Sequence, residues 1–167
     1  MMTRDETEAD IPAIEAVVTA AFRAHPFSNQ REGVLVRLLR VSGGLVLSRV
    51  AVDEDDAVIG HLAASPASIG AADGWILFGP LAVTPGHQRT GIGTALMIDA
   101  LVQLKQAGAP GIVLVGTPDY YGRFGFRPLP GVTLTGIPAG NVLVSPFTDP
   151  LPSGNVALHP AFAAVMG

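Results

Sequence analysis

The stretch GPLAVTPGHQRTGIGTALM, residues 79–97, decides how the rest of the chain is read. Its first residues close the apolar run that begins with WILF at position 75, so 75–83 reads as a buried strand. From Ile92 onward, Leu96, Leu101, Val102 and Leu104 recur at helical spacing. They predict a helix over about 90–107, stopped by Gly108, Ala109, Pro110 and Gly111. Between strand and helix lies a turn containing Gly91 and Gly93. A glycine-rich turn that opens a helix presents unpaired backbone N–H groups and the positive end of the helix dipole, which together bind phosphate or pyrophosphate. The two glycines let the backbone approach the anion, and Arg89 adds a positive charge. The turn lacks the Lys of a nucleotide-binding P-loop. It also lacks the third glycine and downstream acid of a dinucleotide fingerprint, since Thr94 stands in the glycine position.

Working outward, IVLVG (112–116) reads as a short buried strand. Strand, loop, long helix and strand form a crossover unit, so 75–83 and 112–116 are expected to be parallel. Upstream, 44–53 and 57–69 read as strands, with a turn at 54–56 and another at 70–74, giving an antiparallel meander. From Ala57 to Gln88 the only formal charge is Asp73, so this sheet is expected to be covered on both faces. Two helices precede it. The first starts at Asp10, placed to accept first-turn N–H groups, with Pro12 in that turn. The second covers 31–41. Downstream, a short helix is expected at 118–123 and strands at 132–137 and 141–147, with the last residues as a packed tail. The expectation is one α/β (α+β) domain over 1–167, with a mixed sheet of about six to seven strands flanked by helices.

Two features sharpen the site. Gly79-Pro80 interrupts the central strand, and a proline there implies a bulge or an end to pairing. If the strands splay at that point, Leu81, Ala82 and Val83 expose backbone groups with which an extended ligand could pair. Asp119-Tyr120-Tyr121-Gly122-Arg123-Phe124-Gly125-Phe126 follows the next strand and would place a phenol across the same cleft.

Composition excludes several classes. Of 167 residues, 49% are hydrophobic and 14% charged, well below the usual ~25% charged. Residues 1–56 hold 16 of the 24 charges; the remaining 111 hold 8. Disorder and a membrane span are therefore not expected. No basic, apolar, cleavable leader opens MMTRDETEAD, and a cytoplasmic location is the expectation. With no cysteine, neither a thiolate nucleophile nor a Cys-based metal site is expected, and no metal is invoked. A single Lys and a net charge of −4 argue against nucleic-acid partners, a transfer-RNA acceptor included.

These residues carry a family resemblance. Residues 79–97 resemble the central signature of the GCN5-related N-acetyltransferases (GNAT), and Gln88-x-x-Gly91-x-Gly93 matches that family's Gln/Arg-x-x-Gly-x-Gly/Ala coenzyme A motif. Residues 121–126 resemble its Tyr-x-x-x-Gly-Phe motif, which selects Tyr121 over Tyr120. The order of elements agrees from residue 3 to about 147. Within the family the chain is most similar to the bacterial YhbS-like branch, through Gly60-His61 and the double Tyr.

The resemblance implies a GNAT fold with splayed parallel central strands and acetyl-coenzyme A (acetyl-CoA) as cosubstrate. The pyrophosphate would sit on backbone N–H groups of Gln88, Arg89, Thr90, Gly91, Ile92, Gly93 and Thr94, and the pantetheine would pair with Leu81, Ala82 and Val83. Phe124 and Tyr121 would contact the cofactor. The Leu81 N–H would stabilise the oxyanion, and Tyr121 would protonate the departing thiolate. The family's Glu base before the bulge is missing, as is its Asn ahead of the Tyr helix, where Gly116-Thr117-Pro118 stands. His61, His25 and Asp73 are the base candidates, with His61 foremost; His87 and His159 read as structural or exposed. Loops 24–31 and 136–141 would wall a pocket for a small-molecule amine. Two other readings stay open: a non-catalytic acetyl-CoA-binding sensor, and an interaction protein with an empty cleft. The nearly uncharged residues 128–167 suggest a homodimer contact.

Overall fold

The computed structural model describes residues 1–166. The chain runs β1 (Met2–Asp5), α1 (Ile11–Phe22), α2 (Glu32–Val41), β2 (Leu47–Val52), β3 (Val58–Ile69) and β4 (Ala72–Val83). There follow α3 (Ile92–Gln106), β5 (Gly111–Val115), α4 (Pro118–Tyr121), β6 (Val132–Thr133), β7 (Val142–Pro146), β8 (Gly154–Leu158) and α5 (Ala161–Met166). The main sheet has the order β1-β2-β3-β4-β5-β7, antiparallel except for the parallel β4–β5 pair that the crossover predicted. The described residues form eight strands against the six to seven expected, because β1 and β8 carried no clear signal.

Both faces of the sheet are covered, which accounts for the lost alternation in β3 and β4. On one face, α3 packs Ile92, Leu96, Met97 and Ala100 against Leu62, Ala64 and Phe78. On the other, α1 and α2 pack Ile14, Val17, Val18 and Val36 against Val50, Ala63 and Ala82. Each side chain of that size, fully buried, is worth roughly 1.5–3 kcal/mol relative to exposure. The charges that penetrate this frame are paired. Arg49 on β2 is buried and donates Nε–H to Asp99 of α3 at 2.7 Å and Nη1–H to Asp5 of β1 at 2.9 Å. Asp99 thereby ties α3 to the sheet.

Asp10 does not cap α1. Its Oδ2 accepts the Thr7 N–H at 2.7 Å and the Thr7 hydroxyl at 3.0 Å, and both carboxylate oxygens accept from Arg4, at 2.6 and 3.1 Å. The Arg4 hydrogen bond, opposed by burial, holds this carboxyl well below the usual range. The β3–β4 turn is shorter than expected, since Ile69 pairs with Ala72 and leaves only residues 70 and 71 between. The strand expected at 132–137 shrinks to β6. The tail is more ordered than anticipated: β8 pairs with Ala67, Ser68 and Ile69 of β3, beyond the part of that edge that β2 covers. α5 then packs Ala161 and Val165 on Leu35 and Leu39 of α2.

The feature that positions the site is in β4. Leu62 pairs with Leu81, but Ala64 pairs with Phe78, so Gly79 and Pro80 together oppose Ala63 alone. That is a bulge, and it bends the strand. On the other edge, β4 pairs with β5 only at Ile76↔Ile112 and Leu77↔Val113. Beyond Leu77 the two strands part. β5 continues with its far edge fully paired to β7.

Candidate active site

The parted strands form a V, with α3 beginning at its mouth. Residues 81–83 run along one arm with no partner on the β5 side. After β4 the chain makes a 3-10 turn (Pro85–His87), and the Gln88 side chain donates Nε2–H to the Val83 carbonyl at 3.1 Å, tying the turn to the strand end. Gly91 is the N-cap of α3 with φ +90°, a conformation that disfavours side chains, and a Cβ there would meet nothing within 4 Å. The first N–H bonded back into this turn is that of Ala95, to the Gly91 carbonyl at 3.0 Å. The N–H groups of Ile92, Gly93 and Thr94 precede it and have no helical acceptor. Arg89, exposed and at φ +65°, stands beside them. The first turn of α3 thus leaves three backbone donors and a positive charge facing open space.

The other arm carries α4. The Tyr121 ring lies so close to Gly116 that a Cβ there would overlap it, Cδ2 lying 2.6 Å away. Glycine at 116 therefore makes room for the tyrosine. The ring also packs edge-on to Tyr120 (centroids 4.8 Å, 89°) and to Phe126 (6.3 Å, 73°). Burial, with a smaller contribution from Tyr120, pushes the Tyr121 phenol up to about 12. It stays protonated across the physiological range. Phe124 packs edge-on to Tyr120, with centroids 5.6 Å apart.

The sequence departs from the family at residues 116–118, which lack the expected Asn. An asparagine reaches this turn from elsewhere in the chain: Asn141, before β7, donates Nδ2–H to the Gly116 carbonyl at 3.0 Å and accepts the Gly116 N–H on its own carbonyl. With 25 positions between the two residues, no local motif could have revealed this.

The base candidates separate. His61 is fully buried, and its ring lies with Ser48, Glu6 and the α2 residue Arg40 rather than in the V. Strand alternation puts it on the face covered by α1 and α2. A base that meets an amine directly needs access, and His61 has none, which corrects its expected role. Asp73, near the start of β4, lies six residues before the bulge, roughly 20 Å along the strand. It is too distant as well. His25 is exposed in the loop between α1 and α2, where its Nδ1 accepts the Phe27 N–H at 3.3 Å. His87 is exposed; His159 accepts the Ala161 N–H on Nδ1 at 3.0 Å and starts α5.

Two concavities of about 380 Å³ lie away from the V, one beside Glu6, Arg40 and Ser48 and one beside Asp73 and Asp149. Among the described residues no cluster of His, Asp or Glu is placed to hold a metal, and no helix is long and apolar enough to cross a membrane.

A mixed sheet split beside a glycine-capped helix is the fold of the GNAT acetyltransferases, and comparison with known proteins bears this out. The model of the Acetyltransferase (GNAT) domain matches residues 46–128. The uncharacterized N-acetyltransferase YhbS of Escherichia coli K12 is 35% identical over 128 residues, 76% of this chain and 74% of that protein. The crystal structure of YhbS in complex with CoA superposes with a TM-score of 0.87 at 30% identity, covering 97% of this chain and 91% of that one. A GNAT family acetyltransferase from Brucella melitensis, in complex with acetyl-CoA, gives 0.85 at 42% identity, covering 96% and 97%. The chain belongs to the GNAT family and is an acetyltransferase.

Proposed function

We propose that residues 1–167 act as one N-acetyltransferase domain that moves the acetyl group of acetyl-CoA to a primary amine of a small molecule or peptide, by direct attack in a ternary complex. The observation that carries this reading is the convergence on one V of three parts: the released β4 edge, the anion cradle at Gly91 and the Tyr121 phenol. The amine nitrogen forms a bond to the thioester carbon while the carbon–sulfur bond breaks. The Leu81 N–H meets the oxygen that becomes negative, a contribution of about 3–4 kcal/mol where such donors have been removed. Tyr121 gives its proton to the sulfur. Leu81, Ala82 and Val83 pair with the pantetheine, residues 88–94 hold the pyrophosphate, and Phe124 lines the arm beside Tyr121. With His61 enclosed and Asp73 distant, His25 on the 24–31 loop is the remaining base candidate.

The reading predicts that Gly91→Asp weakens CoA binding by more than about tenfold, because it adds strain at positive φ and a carboxylate where the pyrophosphate sits. Unchanged calorimetric binding would remove the cradle from the site. The activity itself is tested by thiol release from acetyl-CoA across a broad amine panel. A second reading, a sensor that binds acetyl-CoA without turnover, is favoured by Leu77, which occupies the strand before the bulge where a Glu base would serve. Binding without thiol release for any amine would select it.

We also propose a cytoplasmic setting, where acetyl-CoA is drawn upon, and a homodimer. The C-terminal residues that suggested the dimer are largely consumed within the protomer by β7, β8 and α5. Exposed Leu151 and Val115 remain for such a contact. Sedimentation of a monomer at all concentrations would reject it.

A further inference from the structure

The two adjacent tyrosines do not occupy equivalent places. Tyr121 is sunk against Gly116 and Phe126. Tyr120 points the other way across the V. The nearest atom to a Cβ built on Gly93 is the Tyr120 hydroxyl, at 3.2 Å; Leu81 Cδ2 and Val83 Cγ2 follow, each at 3.8 Å. The hydroxyl thus stands where α4, the first turn of α3 and the β4 edge come together. A helical Cα–Cβ bond tilts toward the helix N-terminus. The hydroxyl therefore faces the first turn of α3 at Gly93, the turn whose leading amides have no helical acceptor. The ring is held on three sides. Tyr121 stands edge-on at 4.8 Å and Phe124 at 5.6 Å, and the Arg123 guanidinium lies over the ring at 4.7 Å from its centroid. Arg123 Nε–H donates to the Tyr120 carbonyl at 2.9 Å, which fixes the guanidinium there and leaves the hydroxyl to point at α3.

We infer that Tyr120 is a cofactor-positioning residue with a role distinct from that of Tyr121: its hydroxyl donates to the phosphate end of coenzyme A, completing the cradle made by the α3 amides. This rests on the V being the acetyl-CoA site. The site then has two phenols with divided work, Tyr120 at the phosphates and Tyr121 at the sulfur. Bracing by three neighbours means that little freedom is lost when the hydrogen bond forms. A hydrogen bond to a charged group is worth more than a neutral one, and its loss corresponds to about tenfold in affinity.

The test compares two ligands on two proteins. Dissociation constants for coenzyme A, and for pantetheine, which lacks the phosphates, are measured for the parent chain and for Tyr120→Phe, a change that keeps the ring and its packing. The expected result is about a tenfold loss for coenzyme A with pantetheine affinity unchanged within twofold. The unliganded melting temperature shows that the variant is folded. A loss shared equally by both ligands would make Tyr120 a packing residue, and no loss with either would leave its hydroxyl idle; each overturns the inference. If the parent chain itself does not bind coenzyme A, the reading of the V fails and the role of Tyr120 falls with it.

Discussion

Replacing Tyr121 by phenylalanine is expected to lower kcat by about two orders of magnitude, the usual contribution of a positioned general acid. Coenzyme A affinity should change by no more than a few-fold, because the ring, which fills the space at Gly116 and packs on Phe126, is retained. The phenol is pushed up to about 12, so it enters the reaction protonated at any physiological pH. A bare thiolate leaving into the same enclosure is disfavoured for the same reason, since burial opposes the charged form of both partners. In the proposed reaction the proton would move between two groups that burial shifts in the same direction. Steady-state turnover with any accepted amine decides the matter. A variant that keeps its kcat would show that the thiolate departs unaided, and the phenol would then have no chemical part.

The second large effect concerns stability. His61 is enclosed, and its Nε2 lies 2.8 Å from Ser48 Oγ. The single Ser48 proton goes to the Glu6 carboxylate, so Ser48 accepts from His61, which fixes the tautomer with the proton on Nε2. Glu6 in turn accepts two hydrogen bonds from Arg40, each 2.9 Å. His61 Nδ1 is buried with no partner. Protonating it would place a buried charge on a nitrogen with no hydrogen-bond partner. Burial is the main cause that holds His61 down to about 4 from 6.5; the Glu6 charge opposes this and the Arg40 charge adds to it.

The sign follows directly. Between pH 6.5 and 4 the unfolded chain takes up a proton that the folded chain refuses, so the contribution is fully present above 6.5 and is lost as pH falls toward 4. A shift of this size corresponds to about 3 kcal/mol. Urea unfolding at pH 7.5 and at pH 4.2 should show that loss in the parent chain and a much smaller one in His61→Asn. Equal losses in the two proteins would assign the acid sensitivity elsewhere. Glu6 and Asp10, both held below their ordinary values of 4.5 and 3.8, begin to lose their contributions only at the acid end of this window and continue below it, equally in both proteins.

Much of the site was legible because its parts are close in sequence. Gly79-Pro80, the turn at 88–94 and the helix that follows lie within one stretch, and each part has a local physical meaning: a missing ladder donor, a backbone open to an anion, an apolar stripe. The parallel pairing of β4 with β5 followed from the length of the crossover. What escaped was of another kind. β1 has only four residues, exposed at both ends, and is a strand because β2 offers it an edge. β8 exists because β2 leaves part of the β3 edge unpaired. Asn141 reaches Gly116 across 25 positions. Asp10 reads as a helix cap, yet Arg4 competes for the same carboxylate and wins it with two hydrogen bonds.

The histidine and the tyrosines mark the boundary most clearly. The sequence by itself determined that a histidine sits in an apolar strand and that two phenols follow the next one, together with the turn chemistry that makes an anion cradle and the signature that names the family. It could not determine which way those side chains point. Strand alternation offers His61 two faces, and only the packing of α1 and α2 makes one of them a closed interior. Adjacent tyrosines in a short helix diverge, and only the position of Gly116 below and Gly93 across the groove sends Tyr121 inward and Tyr120 to the mouth of α3. Local preferences act through a few neighbouring residues, whereas burial and facing are set by elements distant in the chain, so direction in space was left to the tertiary structure.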